Sequence, residues 1–146
     1  MRERPLTVTE TVPVSRPATA AGTRQLRFEA GLVGFPDAHR FLLLEAGGGA
    51  FELRALDEGG SDFVVVAPQA FFTDYAPVLD DVTVARLELR GAEEALLLLV
   101  VTLGATPEDA TANLLAPIVV NQRTRRAVQV VLHTQEFPLR APLLPA

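Results

Sequence analysis

Near the C-terminal end, two β-branched runs flank a short polar turn. Residues 111–121 end in Pro117-Ile118-Val119-Val120-Asn121, Gln122-Arg123-Thr124 follows, and residues 125–132 carry the next apolar run, Val128-Gln129-Val130-Val131-Leu132. Apolar, β-branched segments on both sides of a polar turn predict a β-hairpin. The stretch contains no nucleophile beside a base, no metal-ligand spacing and no phosphate loop, so it is suited to packing and pairing rather than chemistry. Pro117 has no backbone donor, which predicts an edge strand or a bulge at that position.

The rest of the chain is cut into short pieces. Eleven prolines and ten glycines interrupt it, which favours many short elements over a few long helices. Gln25-Leu26-Arg27-Phe28 alternates polar and apolar residues like a strand with one buried face. Gly31 and Gly34 in Gly31-Leu32-Val33-Gly34-Phe35-Pro36 suit a turn with positive φ. Apolar runs at residues 41–44, 51–56 and 63–67 are separated by Gly47-Gly48-Gly49 and Glu58-Gly59-Gly60-Ser61, a meander of short strands. Residues 95–103 are almost uniformly apolar, which predicts a strand buried on both faces and is far too short to span a bilayer. Asp80-Asp81 ahead of residues 82–87 suits a short helix, although the valines and threonine there also favour a strand. Thr106-Pro107-Glu108-Asp109 reads as the start of a brief helix. The fold expected is mainly β: a small antiparallel, closed or partly open β-barrel or roll with one or two short helices.

Residues 1–24 differ in composition. Residues 6–14 alternate enough for a first strand, and residues 15–23 are rich in Ala, Thr, Pro and Gly. The expected organisation is an N-terminal extension over residues 1–24, with a possible first strand and linker, and one barrel domain over residues 25–146. No apolar stretch of signal-peptide length follows Met1, and the cysteine count is zero; both fit a cytoplasmic protein. The net charge of −5 argues against direct nucleic-acid binding through a basic face and suits a basic protein partner.

The chemical readings are weak. His39 and His133 are the only histidines and neither stands in a ligand spacing, so both are expected to be structural or solvent-exposed. Asp80-Asp81 and Glu93-Glu94 are adjacent acids, and adjacent positions on a strand point to opposite faces. Gly47-Gly48-Gly49 lacks a following Lys-Ser/Thr and reads as a hairpin tip. Arg123, Arg125 and Arg126 read as a solvated turn. Phe71-Phe72-Thr73-Asp74-Tyr75 gathers three of the nine aromatics in five residues, to serve as core or as an exposed contact patch. The expected partner-contact residues are Phe72, Asp74 and Tyr75 first, then Pro117 and Asn121 on a free strand edge. Asn113 and Asn121 also suit turn caps, the more ordinary role. No catalytic, metal or cofactor residue is expected.

The combination resembles the FliW family of bacterial flagellar assembly factors over residues 26–143. Residues 111–121 with 125–132 carry it most strongly. Phe28 with Gly31-Leu32 and Gly34-Phe35, Phe63-Val64-Val65-Val66 with Pro68, Phe71-Phe72 with Asp74-Tyr75, and Leu139-Arg140 with Pro142-Leu143 support it. The chain departs from the family pattern at Ala67, where Asp usually precedes the proline, and at Arg54-Ala55, where Gln-Ser is common. Val33 stands where proline is usual, and Phe137 where tyrosine is common. The resemblance implies a β-rich protein without enzymatic activity. Such a protein binds flagellin in the cytoplasm and captures the translational repressor CsrA when flagellin has been exported. The rival expectations are a small-molecule-binding barrel or minor hydrolase, and a FliW-like domain whose changes at Ala67 and Arg54 have removed CsrA binding.

Overall fold

The computed structural model describes residues 6–7 and 23–143. Its strands are β1 (Leu6–Thr7), β2 (Thr23–Phe28), β3 (Arg40–Gly47), β4 (Ala50–Ala55), β5 (Phe63–Val66) and β6 (Val78–Leu79), then β7 (Ala95–Thr102), β8 (Thr111–Ala112), β9 (Ile118–Asn121), β10 (Arg126–Gln129) and β11 (Ala141–Pro142). One α-helix, α1 (Asp81–Arg86), is accompanied by single 3-10 turns at Pro68–Ala70, Ala92–Glu94 and Pro107–Asp109. Of the expected first strand over residues 6–14, the described part is β1; residues 8–22 lie outside the described residues.

Seven strands close on themselves. The order β7-β5-β4-β3-β2-β10-β9 returns to β7 through the pairing of Ala95 with Asn121 and Leu98 with Ile118. Each of these pairs is antiparallel except β2–β10, which is parallel, with Arg126 opposite Arg27 and Ala127 opposite Phe28. Closure removes free edges, the usual weakness of a small sheet. β8 continues the β9 side of β7 and carries β11 on its outer edge, and β1 pairs with β6 as a separate ribbon.

The alternation in the sequence sorts residues to the two sides of this wall. Leu26, Phe28, Phe41, Leu43, Phe51, Leu53, Val65, Leu96, Leu98, Ile118, Val120 and Ala127 point inward and fill the barrel. Phe28 and Phe41 meet edge to face at 5.4 Å in its interior. The opposite face of β7, at Ala95, Leu97, Leu99 and Val101, is equally buried, beneath Tyr75, Leu79, Val84, Leu87 and Leu89. β7 is therefore covered on both sides, which is why its sequence is apolar without alternation. Each fully buried leucine contributes about 1.5–3 kcal/mol relative to exposure.

Local signals explain the connections. Gly31 sits at φ 71°, and a Cβ there would lie 2.5 Å from the Phe35 carbonyl oxygen, so the turn that crosses one end of the barrel requires glycine. The triple glycine forms the β3–β4 hairpin tip, all three at positive φ. Residues 81–86 are helical rather than extended because the Asp80 carboxylate accepts from Thr83 N–H at 2.8 Å, capping a helix start. The hairpin over β9 and β10 forms as expected, with Val120 opposite Ala127. It is shorter than the apolar run: residues 113–117 are irregular and β8 is a separate strand. β9 lies between β7 and β10, so the expected free edge at Pro117 and Asn121 does not exist.

Candidate functional site

Residues 68–90 cross the outside of the barrel over β7 and supply Phe71, Phe72, Tyr75, Leu79, Val84, Leu87 and Leu89 to the second apolar layer. Pro68 opens the crossing, and Phe71 N–H and Phe72 N–H both donate to its carbonyl, at 2.9 and 2.6 Å. The tight turn leaves Phe71 and Phe72 half-buried against that layer, while Thr73 and Asp74 are exposed. Two of the three contact residues expected here thus reach solvent at least in part.

Tyr75 does not. It is 6% exposed, its hydroxyl donates to the Leu114 carbonyl at 2.6 Å, and its ring meets the edge of Phe137 at 4.9 Å. Burial pushes its phenol well above the usual value of 10.0, because the phenolate would lose water without gaining a donor. The expected exposure of Tyr75 is corrected by this hydrogen bond: Asp74 beside it faces water, and Tyr75 turns inward at the next position. Tyr75 ties the crossing segment to the loop before β9, and Leu114 N–H donates in turn to Pro138 O at 3.1 Å.

That loop is shaped by two side chains. Asn113 Oδ1 accepts from Leu115 and Ala116 N–H, both at 3.0 Å, an Asx turn. Gln129 Nε2 donates to Ala116 O at 3.0 Å while its Oε1 accepts from Val33 N–H at 2.8 Å. Pro117 is buried, and its carbonyl accepts from Val130 N–H at 2.9 Å. The proline lacks a donor just where β9 begins, so no ladder bond is lost.

Asn121 is 0% exposed and architectural. Its Nδ2 donates to Leu87 O at 2.7 Å, and its Oδ1 accepts from Arg123 and Thr124 N–H at 2.8 and 3.2 Å. One amide thus joins the end of α1 to the hairpin turn. Arg123 reinforces the junction, donating from Nη2 to Glu88 O at 2.9 Å and pairing with Glu94 at 3.1 Å. Glu94 is held below the usual carboxylate range, first by the Arg90 N–H and then by the Arg123 side chain. Four residue steps of strand, about 13 Å, carry the chain from Pro117 to Asn121. The fold therefore ties Tyr75 to Leu114, in the loop before β9, and leaves Asn121 at the far end of β9.

The histidines and acids do not converge. His39 Nδ1 lies 2.8 Å from Phe28 O. Asp57 accepts from Arg40 and His39 N–H at 3.0 and 3.1 Å and pairs with Arg40 Nε at 3.1 Å. The Arg40 N–H is the first cause that holds that carboxyl below its usual range, so nothing here raises it toward a proton donor near neutral pH. His133 is exposed. Among the described residues no three His, Asp or Glu side chains are placed to hold a metal ion. A recess of about 240 Å³ at one mouth of the barrel is lined by Arg24, Leu26, Leu43, Leu96, Val120, Gln122 and Arg125, without a histidine or carboxylate.

Two further surface features were not legible. Leu139 is 56% exposed beside the Phe137–Pro138 contacts. The proline-broken tail has no period from which its facing could be read. The recess is assembled from strands distant in sequence. Of the family departures, Ala67 is buried, and Arg54 is exposed and paired with Glu52 at 2.8 Å.

Comparison with known proteins matches this architecture. The sequence profile described as FliW protein aligns with residues 14–143. The chain is 38% identical over 122 residues to the flagellar assembly factor FliW of Symbiobacterium thermophilum, covering 80% of this chain and 86% of that one. It is 36% identical over 118 residues to that of Bacillus licheniformis, covering 80% and 82%. A solved crystal structure of a flagellar assembly factor FliW superimposes with a TM-score of 0.79 at 32% identity, covering 84% of this chain and 86% of that chain. With the profile matching residues 14–143 and relatives 36% and 38% identical over most of both chains, the chain belongs to the FliW family.

Proposed function

We propose that this protein is a cytoplasmic flagellar assembly factor that works by occupancy rather than catalysis: it binds flagellin, and when free of flagellin it binds CsrA and relieves repression of flagellin translation. The family match across residues 14–143 is the observation that carries this reading. The filled barrel supports it, because the inward side chains leave no deep polar chamber for a substrate. The net charge of −5 suits a partner with a basic RNA-binding surface. No helix among the described residues is long and apolar enough to cross a membrane.

The contact surface we assign is Phe72 and Asp74, with Leu139 added and with Tyr75 as its buried support; Pro117, buried just before β9, is left out of it. Flagellin bound to the factor lowers the fraction free for CsrA by mass action if the two exclude each other. Calorimetry of the purified chain against flagellin and CsrA from the same bacterium, singly and in competition, tests the whole scheme. Binding to both, with flagellin displacing CsrA, is expected. Binding to neither would sink it. Binding to flagellin alone would favour loss of the CsrA interaction, for which the apolar, buried Ala67 in place of the family's aspartate is the specific observation.

A further inference from the structure

The turn joining β9 to β10 ends on an arginine in a conformation that arginine disfavours. Arg125 has φ 67°, a left-handed geometry that glycine or asparagine adopts at far lower cost. Its backbone is pinned there: Arg125 N–H donates to Asn121 O at 2.6 Å, and Arg125 O accepts from Arg27 N–H at 3.1 Å. Glycine would adopt this geometry at lower cost, and Glu88 is the other non-glycine residue held there among the described residues, at φ 54°. Arg125 stands at the rim of the 240 Å³ recess. Arg24, on β2, lines the same recess. Among the described residues neither guanidinium makes an ion pair or hydrogen bond, a state shared by Arg27, Arg86, Arg90 and Arg140; what sets Arg24 and Arg125 apart is that both line one recess. The floor is apolar: Leu26, Leu43, Leu96 and Val120 are buried.

We propose that this mouth of the barrel binds an aliphatic carboxylate, with the acid group between Arg24 and Arg125 and the hydrocarbon on the leucine and valine floor. Two guanidinium forks match carboxylate geometry. The volume is below the roughly 300–1,000 Å³ of sites for drug-sized ligands, which limits the occupant to one short side chain and its acid. Such a group is carried by a peptide ending in leucine or by a free branched acid. The site shares no residue with the surface assigned to flagellin or CsrA, so it stands or falls separately.

Titration of the whole chain with N-acetyl-leucine, N-acetyl-leucinamide and isocaproate, followed by amide chemical shifts, is the test. N-acetyl-leucine is expected to saturate shifts at residues 24, 122 and 125, and the amide to bind at least about tenfold more weakly. Isocaproate equal to N-acetyl-leucine would assign a free acid as the source; weaker isocaproate would assign a peptide terminus. Arg125→Gly should unfold at a higher urea concentration, its backbone strain relieved, yet bind about tenfold or more weakly. A purely structural arginine would not separate the two. Arg24→Gln, on a regular strand, should lose binding without the stability gain. Equal binding of acid and amide, undiminished binding by Arg125→Gly, or no saturation at all would overturn the proposal.

Discussion

At the scale of single residues, the polar groups that attract notice in the sequence serve the interior. Tyr75 and Asn121 were both expected among the contact residues, Asn121 with a turn cap as its more ordinary role; both are buried and bonded to carbonyls 39 and 34 positions away, and Asn121 does cap the hairpin turn through Arg123 and Thr124 N–H. No local period encodes such a partner, so the residue type was legible and its facing was not. Tyr75 gives a sharp test. The chain has one tyrosine, no cysteine and no lysine, so Tyr75 is the side chain expected to ionise between neutrality and the arginine range. Its folded pKa is raised. The unfolded phenol therefore loses its proton first, at the ordinary value near 10.0, and the stability that depends on the neutral hydroxyl is present below that pH and lost as pH rises above it. Urea midpoints should be flat up to that point and fall beyond it, with tyrosinate absorbance rising only as the protein unfolds. Free titration of the native protein near the ordinary phenol value would contradict the burial. Asn121→Ala removes the donor to Leu87 and the acceptor for Arg123 and Thr124. It should cost about 2–4 kcal/mol in denaturant unfolding, since buried partners are left unpaired.

At the scale of elements, legibility followed the strength of the local pattern. β2, β3, β4 and β5 alternate between core and the other face and are separated by glycine turns, so each was readable in place. β7 was readable as doubly buried from its unbroken apolar run, but what covers its second face is residues 71–90, and no pairwise signal links the two. The short α1 stood open between helix and strand because its valines favour sheet. It is settled by the Asp80 cap, not by propensity, since six residues cannot hold a helix alone. Asp80→Ala should lower stability by about 1 kcal/mol near neutral pH. The Asp80 carboxyl is held below its usual value of 3.8, first by the Thr83 N–H. Its contribution is therefore present above that value and lost as pH falls through the lower folded one. The difference between the wild type and Asp80→Ala should shrink on acidification to the part that a neutral carboxyl oxygen, still able to accept from Thr83 N–H, retains. A difference unchanged in strong acid would mean that the carboxylate charge adds nothing to the cap.

At the scale of the molecule, closure by the parallel β2–β10 pair joins strands some hundred positions apart in the chain. It could not be read from either strand alone, which is why the sequence left the barrel closed or partly open. Closure also bears on where a partner strand could add: with β9 paired on both sides, it offers no free edge for strand addition. On the outer layer the exposed Asp74 and the half-buried Phe72 flank a turn held from below by the Tyr75–Leu114 bond. Two changes separate contact from support. Asp74→Arg reverses an exposed charge that makes no ion pair among the described residues, so its effect on unfolding should stay within about 0.5 kcal/mol. If the turn is a client surface, the same change should weaken one client by about tenfold or more and slow its association, as like charges meet at the interface. Tyr75→Phe should do the reverse: cost about 1–2 kcal/mol in stability by unpairing the Leu114 carbonyl and shift client affinity only modestly. Calorimetry against flagellin and CsrA gives the affinities, rapid-mixing kinetics the association rate, and urea unfolding of both variants the stabilities. Asp74→Arg binding both clients as tightly as the wild type would move the contact surface away from this turn and leave the outer layer as packing alone.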